Sequence, residues 1–199
     1  MSSSSTIKNK FLDKIVNSSK LQGTITDMDA IKLALEYIIK HHGTQKRHSG
    51  EPYFYHPMEV AYIITDYFCD TETIIAALLH DIVEDTRISL NHLKFLFGNE
   101  VALLVDKLTK LDGDIVKFKL SDAESSYKLT QMHNNKKAIT IKLIDRLHNM
   151  RTIKHHKSIE KQKQIALETL QVFVPMAMYV GIKEVELELQ KISFEVLAS

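Results

Sequence analysis

Breakers of regular structure are scarce in this chain: six Gly and three Pro in 199 residues. Long stretches without either favour an all-helical fold. Apolar residues recur at helical spacing in 30–43, 56–68, 70–86, 89–98 and 100–111, then roughly 136–153, roughly 158–179, and 183–197. Stop and start signals agree with these spans. Gly43 closes the first and Pro57 suits a first helical turn. Asp70 and Ser89 are N-cap types, and Gly98 is a stop. Residues 112–135 are polar and mixed, which predicts a loop with a short helix. The start "MSSSSTIKNK" has no apolar signal core. Residues 1–8 therefore read as a disordered Ser-rich tail, and 9–199 as one all-α bundle of roughly 8–10 helices.

Composition narrows the class. With 44% hydrophobic and 26% charged residues the chain is an ordinary globular protein. The longest uncharged apolar stretch, 172–182, is 11 residues and contains a proline, well short of a membrane span. The single cysteine, Cys69, excludes an internal disulfide and reads as a small buried apolar residue. A cytoplasmic location is expected. Net charge is +1, but it is unevenly distributed. From His48 to Thr86 there are eight acids and no Lys or Arg; from Lys128 to Lys163 there are ten Lys or Arg and two acids. Charge alone leaves two readings open: surfaces that pair in the fold, or an acidic metal site with a basic wall for phosphates.

The stretch "AALLHDIVEDT" (76–86) sharpens the second reading. Drawn as one helix at about 100° per residue, His80, Asp81, Glu84 and Asp85 share one side. Ile75, Ala76, Leu78, Leu79, Ile82 and Val83 take the other. Three carboxylates within two turns repel one another, and a divalent cation would relieve that repulsion while accepting an imidazole nitrogen. Two adjacent ligands do not complete a site. His56 precedes Pro57, which biases its backbone to an extended form at a helix entry. In "IKLIDRLHNMRT" (141–152), Asp145, His148, Asn149 and Thr152 share a helix face bordered by Lys142 and Arg146. Such a face suits a metal and phosphates.

Together these stretches resemble the HD-domain phosphohydrolases, and more closely the alarmone hydrolase domain of the RelA/SpoT homologues. The strings that carry the likeness are "RHSGEPYFYHPMEVA" (47–61), "TIIAALLHDIVEDT" (73–86), "FGNEVALLVDKLTKL" (97–111), "IKLIDRLHNMRT" (141–152) and "ALETLQVFVPMA" (166–177). The resemblance implies a single helical HD-domain bundle holding one Mn²⁺. It implies release of the 3′-pyrophosphate of guanosine tetra- or pentaphosphate, giving GDP or GTP. By motif position it assigns metal ligation to His56, His80, Asp81 and Asp145, and water and proton handling to Glu84 and Asp85. It places Arg47 against the base, and Ser49, Asn149 and Thr152 around the nucleotide; Lys142, which borders the same face, is a further substrate-binding candidate. The partner implied is the nucleotide alarmone, with no membrane and no nucleic acid.

The chain ends at Ser199, so it resembles the small stand-alone hydrolases rather than the long members with a synthetase domain. It departs from the family pattern at Lys107, Asn135, Lys137, Ile144, Met178 and Tyr179, none of which is a proposed metal ligand. Base preference stays open between guanosine and adenosine alarmones. Two rival readings also stand: another HD-family nucleotide phosphohydrolase, and a non-catalytic nucleotide-binding module. The pairs His41–His42 and His155–His156 read as solvated helix ends. Tyr53 and Tyr55 either pack or line the site.

Overall fold

The computed structural model describes residues 2–47, 49–118, 129–131 and 133–199. The described residues are helical, apart from loops and single-residue bridges at Lys46 and Pro52, which makes the chain all-α as its sequence predicts. It divides into two compact units, Met1–Gln45 with Pro52–Asp106, and Lys46–Glu51 with Lys107–Ser199. No helix among the described residues is long and apolar enough to cross a membrane.

In the first unit the helices are α1 (Ser2–Gln22), α2 (Met28–His42), α3 (Tyr55–Ile64), α4 (Thr71–Leu78), α5 (Ile82–Asp85) and α6 (Leu90–Phe97), followed by the start of α7 (Asn99–Phe118). α1 includes residues 2–8, read above as a tail. Polar caps set the starts. Asp27 accepts from the Asp29 and Ala30 amides, Asp70 from Thr73, and Ser89 from His92. Gly98 ends α6 at φ +90°, a conformation that favours glycine. α4 is the centre of the unit. It packs on α2 and α3, and Ile74, Ile75, Leu78 and Leu79 are all sealed from solvent. Cys69 is buried beside it, as its type predicts.

The second unit holds the rest of α7, then α8 (Lys136–Arg151), a 3₁₀ turn (Ile153–His155), α9 (Ile159–Glu168), a π-helical turn (Thr169–Phe173), α10 (Val174–Val180) and α11 (Lys183–Ala198). α11 packs against α8, α9 and α10. The core face of α8 is Ile139, Leu143, Ile144, Leu147 and Met150, all buried. The departure Ile144 is therefore a core residue.

Three helix expectations are corrected. The span 70–86 is not one helix: α4 stops at Leu78 and α5 restarts at Ile82. The span 158–179 is interrupted by the π turn, where the Val174 amide donates to the Thr169 carbonyl five residues back. Pro175 follows, and its missing N–H and its ring disfavour a regular α turn there. α7 runs through Gly113 to Phe118, beyond the expected end at 111. The apolar series Leu104, Leu108, Leu111, Ile115 continues at helical spacing and keeps that extension buried on one side. Most of the remaining loop expectation, 119–128 and 132, lies outside the described residues.

Candidate active site

The interruption between α4 and α5 brings together candidate metal donors. Leu79 (φ −101°, ψ 6°) and Asp81 (φ −94°, ψ −7°) sit near the bridge region rather than in an ideal helix. Nδ1 of His80 lies 2.8 Å from the Ala77 carbonyl. In an unbroken helix that carbonyl would accept the Asp81 amide. With Nδ1 as the donor, the imidazole presents a lone pair at Nε2. Nε2 is 3.1 Å from Asp81 Oδ1, and Nε2 of His56 is 3.6 Å from Asp81 Oδ2. One donor atom from each of His56, His80 and Asp81 falls within 4.8 Å of the others, the one such group among the described residues.

Both imidazoles are almost sealed from solvent, at 2% and 4% exposure. His56 is set by the entry to α3, where its amide donates to the Tyr53 carbonyl at 2.9 Å. Tyr53 also donates its hydroxyl to Asp81 Oδ2 at 2.7 Å. Burial, then the Asp81 carboxylate, pushes the Tyr53 phenol far above its ordinary range, so it stays a donor. Sequence left Tyr53 undecided; its position three residues before His56 was the available signal. Glu84 and Asp85 follow on α5, and both are exposed.

The second unit contains a cavity of about 340 Å³, and its wall includes Arg47, Ser49, Lys142, Asp145, Asn149 and Thr152. Every residue that the motifs placed around the nucleotide is thus in one cavity, together with Asp145. α8 explains the grouping, because Lys142, Asp145, Asn149 and Thr152 lie three or four residues apart on one face. Asp145 is buried, and both of its oxygens are engaged: Oδ2 accepts from Lys142 and Oδ1 from Asn149, each at 2.8 Å. Arg47 donates to Asn149 Oδ1 at 2.6 Å and approaches His148 Nδ1 at 2.9 Å. As arginine only donates, His148 Nδ1 is the acceptor there. A tight turn carries Arg47: its amide donates to the Glu51 carbonyl, and its carbonyl accepts from Gly50. Arg146 pairs with Glu168 at 2.7 Å and lies 3.9 Å over the Phe173 ring.

Several placements differ from the sequence reading. His155 and His156 line this cavity rather than only capping a helix. His42 is buried at 2% exposure, its Nδ1 2.8 Å from Gln45 Oε1, so it is not a solvated end; His41 is partly covered and stacks on Tyr37 at 4.2 Å. Asp112, in a stretch read as loop, reaches Lys142 at 2.6 Å. Lys142 feels opposed influences. Burial alone would lower its pKa, but the Asp145 and Asp112 charges outweigh it and raise the value, so the ammonium stays protonated.

Residues 34–183 match the family described as an HD domain. The chain is 43% identical over 173 residues to a GTP pyrophosphokinase of Myxococcus xanthus, a match covering 84% of this chain and 23% of that protein. It is 39% identical over 186 residues to the GTP pyrophosphokinase of Streptomyces coelicolor, covering 92% of this chain and 22% of that one. The chain thus spans less than a quarter of the length of these curated relatives. Among solved structures it is similar to a metazoan orthologue of SpoT, described as hydrolysing ppGpp, with a TM-score of 0.62 and 25% identity over 83% of this chain and 94% of that one. On the extent of the family match, the His56–His80–Asp81 donor group and these relatives, the chain belongs to the HD-domain family, in its RelA/SpoT group.

Proposed function

We propose that this protein is a metal-dependent hydrolase that removes the 3′-pyrophosphate from guanosine tetra- or pentaphosphate, leaving GDP or GTP. The observation that carries the reading is the group of two buried imidazoles and a partly exposed carboxylate. Such a mixed nitrogen and oxygen donor set suits a divalent transition metal, and Mn²⁺ is the ion proposed. The fit extends outward: the Ala77 carbonyl orients His80, and the Tyr53 hydroxyl orients Asp81, as outer partners of metal ligands do. His56, His80 and Asp81 would hold the ion. Asp145 is proposed as a further ligand on the strength of its "DRLHN" motif. When bound, a divalent ion lowers the pKa of water and draws charge from phosphoryl oxygens.

The chain's own residues supply the rest. Glu84 and Asp85 are proposed to take the proton of the attacking water and to deliver one to the ribose 3′ oxygen as its bond to phosphorus breaks. Arg47 is proposed to stack against the base, while Ser49, Asn149 and Thr152 hold the nucleoside and Lys142 faces phosphate. The cation-bearing cavity of the second unit supports this part of the reading.

The test is direct. Purified protein with Mn²⁺, with and without EDTA, is offered guanosine and adenosine alarmones and deoxynucleoside monophosphates. Pyrophosphate with GDP or GTP, abolished by EDTA, is expected. Orthophosphate released from the monophosphates alone would replace this reading with that of a general HD nucleotidase.

A further inference from the structure

The cavity of the second unit is less positive than its sequence suggests. Arg47, Lys142 and Arg146 reach it, but Asp145 and Glu168 share its wall. Arg146 is already paired with Glu168. Lys142 is held by two carboxylates, Asp145 at 2.8 Å and Asp112 at 2.6 Å. Three permanent cations therefore meet three carboxylates. Those carboxylates oppose the binding of a polyanion.

Asp112 is the member that the rest of the network does not require. Asp145 is oriented by Lys142 on one oxygen and by Asn149 on the other, and neither bond needs Asp112. What Asp112 adds is charge, at short range, on a lysine whose side chain is only 12% exposed. With so little water around the ammonium, the attraction is poorly screened. A phosphate approaching Lys142 must compete with Asp112 for the same protons.

We propose that Asp112 is a positioning residue that restrains the Lys142 ammonium and so limits how tightly the cavity holds phosphate groups. The restraint favours release of a charged product over retention. It rests on the reading of this cavity as the nucleotide site, and it concerns a residue on α7 that does not line the cavity.

The prediction runs against the effect of ordinary damage, because the variant should bind better. Calorimetry of the Mn²⁺-loaded protein with the product GDP, which is not turned over, compares the intact protein with Asp112→Asn and Asp112→Ser. Both variants are expected to bind about 3- to 10-fold more tightly, the size of one partly screened charge, with unchanged helical circular dichroism. Asp112→Glu should bind as the parent does. Asp114→Asn, which removes a carboxylate paired instead with His133 at 3.2 Å, should leave affinity unchanged. Equal or weaker binding by both Asp112 variants overturns the role of Asp112. A gain as large from Asp114→Asn overturns it too, since any lost carboxylate would then serve. Absence of binding in every variant overturns the cavity reading itself, and this inference with it.

Discussion

The two segments that carry the candidate site residues group polar side chains by opposite means. In 76–86 the helix is broken, and in 141–152 it is not. His80 and Asp81 are adjacent, so an unbroken helix would point them about 100° apart. The turn at Leu79–Asp81 brings Nε2 of one within 3.1 Å of a carboxylate oxygen of the other. Asp145, Asn149 and Thr152 need no such device, because spacings of three and four already share a face. The first segment is held by backbone: the Ala77 carbonyl fixes an imidazole. The second is held by a chain of side chains, Asp112–Lys142–Asp145–Asn149–Arg47. A backbone-held group should fail all at once when a donor is lost, and a side-chain chain should fail in proportion.

The largest expected effect tests the first half of that contrast. His80→Ala should abolish both Mn²⁺ binding, measured by titration followed by electron paramagnetic resonance, and turnover. Full activity in this variant would remove the metal assignment. Glu84→Gln and Asp85→Asn should keep the ion but lose on the order of 10²–10⁴ in kcat, as expected for lost proton transfer. A variant of either that retains both metal and full kcat has no part in proton transfer.

Next in size comes a link of the side-chain chain. Asn149→Ala removes one donor to Asp145 and the acceptor of Arg47. Leaving partly buried partners unmet costs about 1–3 kcal/mol, so nucleotide affinity should fall by about 5- to 150-fold while Mn²⁺ still binds His56, His80 and Asp81. Loss of all metal binding in Asn149→Ala would show that the two segments do not fail independently, which breaks the contrast.

The sequence revealed these two segments unequally, for the same physical reason. On α8 the helical wheel is the structure: the polar face it predicts is the face that lines the cavity. On 76–86 the wheel puts His80 and Asp81 on one side, but the structure groups them with His56 through a break that the wheel does not contain. Periodicity counts apolar positions, and Leu78, Leu79 and Ile82 remain buried across the break. Nothing in that pattern registers an imidazole taking a main-chain carbonyl. Asp112 was hidden because Asp112, Gly113 and Asp114, directly after Leu111, outweighed the helical spacing from Leu111 to Ile115. The buried His42 meets Gln45 at 2.8 Å, a contact that composition does not encode. Caps were read more reliably, since Asp70, Ser89 and Gly98 act within one turn of their own positions.

Tyr53→Phe sharpens the contrast within the first segment. It keeps the ring and removes only the hydroxyl that donates to Asp81. If backbone alone presets the donors, Mn²⁺ affinity will not move. If the outer partner contributes, as the 2.7 Å bond implies, affinity should drop about 10-fold, the low end for such partners.

The smallest effect concerns a residue of α8 that does not line the cavity. Arg151 grips Glu188 of α11 with two bonds of 2.7 Å. Those bonds hold the Glu188 carboxyl below its ordinary value, against the opposing effect of burial. A carboxyl depressed in the folded state adds stability above its unfolded pKa, and that stability is lost as pH falls through the lower, folded value. Both side chains are more than a third exposed, so solvent screening keeps the contribution under about 1 kcal/mol at pH 7. Glu188→Gln should therefore be slightly less stable than the parent in urea at pH 7. The gap should close as the carboxyl protonates, below the usual carboxylate range. A gap that persists at the lowest pH would mean that the pair acts through packing of the Arg151 stem rather than through charge. Activity should be unchanged throughout, because this bond touches the helix that carries the site without touching its polar face.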